Sequence, residues 1–193
     1  MAWQPDYVSG ADFKTAVGIS DTADDLTIGF ARTAASRAID HFTGRQFGVL
    51  SAPALRLYTS PPSGVVEIDD LMTATGLAVV VDGTTLVKDT DYQLRPLNAA
   101  ADGRPWTSLA FLVTVPSTEV GAIEITATWG WTAVPGVVSQ AALIQAMRLF
   151  KRKDSPFGIA GSPELGSEMR LLSKLDPDVE MMLGSVRRKW LVA

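Results

Sequence analysis

The residues able to do chemistry are few. His41 is the only imidazole in 193 residues, it follows Asp40, and the chain has no cysteine. That excludes a thiolate nucleophile, a disulfide framework and a thiolate-held zinc or iron–sulfur site, and one histidine cannot make a multi-histidine metal site. Neighbours at i and i+1 on a helix point in different directions, so Asp40 cannot orient the His41 ring for Ser–His catalysis. There is no Gly-x-Ser-x-Gly elbow to supply the nucleophile. Gly158, Gly161 and Gly166 match no phosphate-binding loop pattern and follow a helix instead of a strand. The acid pairs Asp24-Asp25 and Asp69-Asp70 lack the multi-oxygen spacing of a calcium loop, and helix-dipole and turn roles account for them. The sequence therefore predicts no catalytic residue, no cofactor, no metal site and no enzyme.

What remains is charge beside apolar surface. The chain holds 17 Lys+Arg against 21 Asp+Glu, but unevenly: residues 1–102 carry 13 acids and 7 bases, net −6, and residues 103–193 carry 8 acids and 10 bases, net +2. The bases gather in Arg148, Lys151, Arg152 and Lys153, and again in Arg187, Arg188 and Lys189, which run into Trp190 and Leu191. An aromatic beside clustered positive charge has the composition of an interface anchor.

The elements that must hold these residues are α+β. A short helix over Ala11–Val17 is closed by Gly18. From Asp21 to Thr43, Ile28, Ala31, Ala35, Ala38, Ile39 and Phe42 form one stripe at helical spacing, with Ser20 as the expected N-cap and Gly44 as the left-handed stop. Between Ala54 and Trp131 the period shortens to strands of Val, Ile, Thr and aromatics, about six in number. Asp82-Gly83 marks a tight hairpin there, and Ala122–Thr128 alternates as a half-wet strand does. Of Trp129 and Trp131, which flank Gly130, at least one is expected in the core. A helix from Pro135 to Phe150 is apolar round most of its circumference, as in a helix central to its fold or shared with a neighbouring subunit. A Gly/Pro/Ser-rich loop over 153–167 and a C-terminal helix capped by Asp176, with Pro177 first, complete the chain. The expected architecture is a small helical bundle of long N-terminal, central and C-terminal helices (1–53 and 132–193), with an antiparallel β module (54–131) inserted. The start, Met-Ala-Trp-Gln-Pro-Asp, has no signal-like region, and the longest apolar run, Leu109–Val115, is too short to span a membrane. The chain is expected to be soluble.

The stretches AASRAIDHFTGRQF (34–47) and ITATWGWTAVP (125–135), the latter leading into QAALIQAMRLFKRKDSPFG (140–158), resemble the head–tail connector, or adaptor, proteins of tailed bacteriophages and related gene-transfer particles. The resemblance runs from about Ala11 to Trp190 and is to the longer members, which carry a β insertion. It implies a structural virion protein of the neck, assembled in the host cytoplasm and away from any membrane. Such proteins form a homo-oligomeric, typically dodecameric ring beneath the portal protein. The ring extends the DNA channel, through which DNA passes without sequence-specific contact, and offers a docking surface for the next connector, the stopper or the tail. On that reading Arg187, Arg188, Lys189, Trp190 and Leu191 dock on the portal, and Arg148, Lys151, Arg152 and Lys153 face the channel or a neighbouring subunit. Deleting residues 176–193 is then expected to leave a folded chain that no longer joins portal-containing particles. The alternative is a non-enzymatic binding protein whose β module recognises a ligand or protein partner.

Overall fold

Glycine and side-chain caps set the helix limits. In the computed structural model, which describes residues 3–114, 119–154, 159–160, 169–170 and 175–188, helix α1 covers Gly10–Val17, and its N-cap Ser9 accepts from the Asp12 amide through its side chain. Helix α2 covers Asp25–Thr43 and stops at Gly44, whose φ of 63° needs no Cβ. It starts later than the expected Ser20 cap because Asp21 folds its carboxylate onto the Ala23 amide (3.0 Å), holding that stretch in a turn. Helix α3 covers Gly136–Lys151, and Pro135, predicted as its first helical residue, is its N-cap instead. Helix α4, Pro177–Leu183, has the predicted Asp176 cap, which accepts from the Asp178 amide (3.0 Å), and Pro177 at its start. It ends at Leu183, short of the basic tail.

The chain is α+β, and it divides into two compact units: residues 5–45 with 134–193, and residues 1–4 with 46–133. The first holds the four helices. Ile28, Ala31, Ala35 and Ile39 of α2 and Val138, Ala141, Ala142 and Ala146 of α3 are buried, and the two helices form the unit's main packing. Phe13 of α1 meets Phe150 of α3 edge to face at 5.5 Å. Residues 5–9 lie along α2, where the Tyr7 amide donates to Ser36 Oγ (3.0 Å) and Arg32 Nε to the Val8 carbonyl (2.9 Å). Val179 and Leu183 place α4 in the core at 0% exposure.

The second unit is β. The expected single module is in fact two antiparallel sheets. One has the order β1 (Ala54–Tyr58), β7 (Ile123–Ala127), β3 (Ala78–Val81), β4 (Thr84–Leu86); the other has the order β2 (Val65–Leu71), β6 (Trp106–Phe111), β5 (Tyr92–Arg95). In the first unit, a further two-residue ladder pairs β8 (Ile159–Ala160), inside the predicted loop, with β9 (Met169–Arg170), just past its end. Asp82 and Gly83, at φ 48° and 76°, make the predicted hairpin between β3 and β4. Arg56, Ile125 and Val79 stand in one row across the first sheet and Tyr58, Ile123 and Val81 in another. Their apolar members join Val66, Ile68, Leu71, Leu94, Leu109 and Trp129 in one core.

Both tryptophans of the Trp-Gly-Trp segment are buried in that unit. Trp129 donates its indole N–H to the Ala54 carbonyl (2.8 Å), and Trp131 donates to Asp70 Oδ2 (2.7 Å) while packing on Phe47 at 5.0 Å. Gly130 between them has φ 111°, and a Cβ there would lie 2.0 Å from the Gly48 carbonyl oxygen. The Trp131 amide donates to that same oxygen (2.8 Å), and Gly130 bridges Val49. The chain thus enters and leaves the β unit on hydrogen-bonded neighbours, which is why residues 46–53 belong to it.

Candidate functional site

The basic residues singled out in the sequence are put to several local uses. Lys153 at the end of α3 pairs with Asp24 beside the start of α2 (2.7 Å) and stands 4.3 Å from the Phe150 ring centroid. Arg148 reaches the Asp176 cap of α4 at 3.5 Å. Lys151, the last residue of α3, is exposed, and Arg152 is half-buried at the start of the 3-10 turn that follows, Arg152–Asp154. At the far end of α2 the Arg187 guanidinium lies 5.0 Å from the Phe42 ring centroid, and the Arg188 amide donates to the Thr43 carbonyl (2.8 Å). Lys189, Trp190 and Leu191 lie outside the described residues. The two basic groups therefore sit at opposite ends of α2, about 28 Å apart at 1.5 Å per residue, and do not merge into one patch. In each, at least one cation is engaged within the fold: Arg148 and Lys153 tie helices together, and Arg187 covers an aromatic ring.

The acids expected to serve turns and helix dipoles are partly redeployed. Asp69 and Asp70 lie within β2, not in a turn. Asp69 accepts from the Tyr58 hydroxyl (2.8 Å) and pairs with Arg56 (2.5 Å), whose guanidinium lies between Trp3 (5.1 Å) and Trp129 (4.9 Å). Burial, reinforced by the Asp69 charge, pushes the Tyr58 hydroxyl well above its ordinary pKa, so it acts as a fixed donor and not as an acid. Asp40 accepts from the Tyr7 hydroxyl and has Arg37 Nε 3.3 Å away; burial raises its pKa against both partners. His41 beside it is exposed. Among the described residues no group of three or more His, Asp or Glu is placed to hold a metal ion, and no helix is long and apolar enough to cross a membrane.

The surface carries apolar residues that the sequence analysis expected on α3 and missed on α2 and β1. On α2, Leu26 and Phe30 are 72% and 67% exposed, one turn apart and about 160° and 200° round the helix from buried Ile28. On α3, Val137, Ile144 and Met147 are partly buried on the side away from Val138, Ala142 and Ala146, in line with exposed Lys151. On edge strand β1, Leu55 and Leu57 are 55% and 61% exposed. The sign was available in the sequence: 26 and 30 fall outside the 28-31-35-39 stripe, and 55 and 57 alternate with Arg56. Single exposed apolar residues are ordinary, but two that adjoin on one face, as Leu26 and Phe30 do, form the beginning of a contact surface. The β unit is also the acidic one, with 9 acids and 4 bases in residues 1–4 and 46–133, net −5.

No protein-family model matches this chain, and a search of curated proteins likewise finds no match.

Proposed function

We propose that this chain is a structural subunit of a phage-type head–tail connector, a homo-oligomeric ring beneath a portal that extends the DNA channel and presents a docking surface to the next connector, stopper or tail. The observation that carries the reading is α3. Its inner face is filled by α2 and the rest of the helical unit, yet Val137, Ile144 and Met147 on its outer face keep part of their apolar surface in water, which a neighbouring copy would cover. Exposed Leu26 and Phe30 give α2 the same character. A net charge of −5 makes the β unit repel phosphates, so a channel wall fits the helical unit. Arg187 and Arg188, with Lys189, Trp190 and Leu191 after them, remain the proposed portal anchor.

The test is the mass and shape of the full chain, by mass photometry and negative stain, alone and with portal-containing particles. A closed dodecameric ring is expected, and a chain that stays monomeric on the portal overturns the reading. The anchor needs a shorter deletion than 176–193, because Val179, Leu183 and the Asp176 cap belong to the core. Removing residues 189–193 should leave the helical unit folded and abolish joining to the particle. A second reading, a binding protein working through its β unit, is favoured by exposed Leu55 and Leu57 on edge strand β1, where unpaired main-chain groups invite an added strand. Capture of an extended peptide by a full chain that forms no ring would favour it.

A further inference from the structure

We infer that the ring contact is made by two unlike faces of the helical unit, the outer face of α2 (Leu26, Phe30) on one copy against the outer face of α3 (Ile144, Met147, Lys151) on the next. This rests on the ring reading above and adds the surfaces and the register. The two helices pack on each other through Ile28, Ala31, Ala35 and Ile39 against Val138, Ala142 and Ala146. Leu26 and Phe30 point away from α3, and Ile144, Met147 and Lys151 point away from α2, so the two apolar surfaces lie on opposite sides of one copy. A patch that met its own copy across a two-fold axis would give a dimer and leave the other patch bare. Two different patches on opposite sides associate head to tail, and a head-to-tail contact closes into a ring when the rotation permits.

Charge sets the register. The Lys153–Asp24 pair places the C-terminal end of α3 beside the N-terminal end of α2. Residues equally far from that pair stand at about one level, Leu26 with Lys151 and Phe30 with Met147, at 1.5 Å per residue along each helix. Rotation about a ring axis running along the helices keeps those levels. Met147 of one copy then meets Phe30 of the next, while exposed Lys151 arrives at the level of exposed Asp21 and of Asp25, which Lys14 of its own copy already pairs with. The apolar contact is thus closed at one end by opposite charges. Reversing one copy would carry Lys151 toward Arg37 and His41 instead.

The absence of cysteine makes the test clean. A full chain with Phe30→Cys and Met147→Cys carries one thiol on each face. On mild oxidation it should give a ladder of covalent dimers, trimers and higher multimers. Phe30→Cys alone and Met147→Cys alone should give no cross-linked dimer. Adding Lys151→Glu to the double variant should cut the ladder several-fold, by setting like charges together. Dimers from either single variant, or no ladder from the double one, overturn the inference. Circular dichroism of each variant checks that the helices are intact, and Phe30→Cys with Ile144→Cys serves as a second pair should Met147→Cys fail to fold. The two readings separate: a closed ring in negative stain without a ladder keeps the connector and rejects this contact. A ladder that grows into open filaments keeps the contact and rejects the closed ring.

Discussion

Gly130→Ala should be among the most damaging small substitutions in the chain. At φ 111° a residue with a side chain bears about 1–3 kcal/mol of backbone strain. The new methyl would also stand 2.0 Å from the Gly48 oxygen and 2.9 Å from the Trp3 ring. The ring could swing aside, but the carbonyl is main chain, and moving it breaks the bond from the Trp131 amide, about 1 kcal/mol more. Together with the loss of packing between Phe47 and Trp131, the expected cost is about 3–5 kcal/mol, or about 12 °C or more in Tm for a unit of this size. In a Trp190→Phe background tryptophan fluorescence reads this unit selectively, because the other four, Trp3, Trp106, Trp129 and Trp131, all belong to it, and far-ultraviolet circular dichroism follows the helices. A variant melting within 2 °C of the parent, by about the same conversion under 0.5 kcal/mol, would refute the close-approach argument.

Three further outcomes concern the helical unit. Gly29→Ala, inside α2 with open space where the Cβ would go, should stabilise it by about 0.5–1 kcal/mol in urea melts, and a loss of stability would show a contact not accounted for. Asp176→Ala removes the α4 cap and the Arg148 partner together; about 1–2 kcal/mol should be lost, and Asp176→Asn, which keeps a capping oxygen, should recover most of it. Asp40 holds its proton more tightly in the folded chain than its ordinary value of 3.8 implies, because burial outweighs Tyr7 and Arg37. The folded state then binds more protons than the unfolded one, so this group's contribution to stability falls as pH rises above 3.8. Asp40→Asn should remove that part of the decline, and a parallel stability–pH curve in the variant would count against it.

The helices were legible because their signals are local. Gly18, Gly44 and the Asp176-Pro177 pair each act within a few residues of themselves, and the Asp82-Gly83 hairpin is likewise set by its own two dihedrals. The start of α2 falls later than the Ser20 cap predicts because Asp21 closes a turn of its own on the Ala23 amide, which only the fold shows. The split into two sheets was not legible: β1 pairs with β7 across 65 or more residues, and alternation within a strand says nothing about its partner. Candidate sites followed the same rule. That Arg187 and Lys151 are basic is plain in the sequence. That they stand at opposite ends of α2, and that Arg148 and Lys153 are engaged inside the subunit, depends on contacts between residues far apart in the chain.

The seam at Gly48, Val49, Gly130 and Trp131 has a bearing on how such a chain can be remade. Because the two later of the three crossings between the units, at 45/46 and 133/134, lead from strands pinned side by side, residues 46–133 have the plumbing of a plug-in cassette. A short bridge from residue 45 to residue 134 could stand in for everything between, and a foreign domain whose own ends lie together could be spliced into the same socket without asking the helices to change partners.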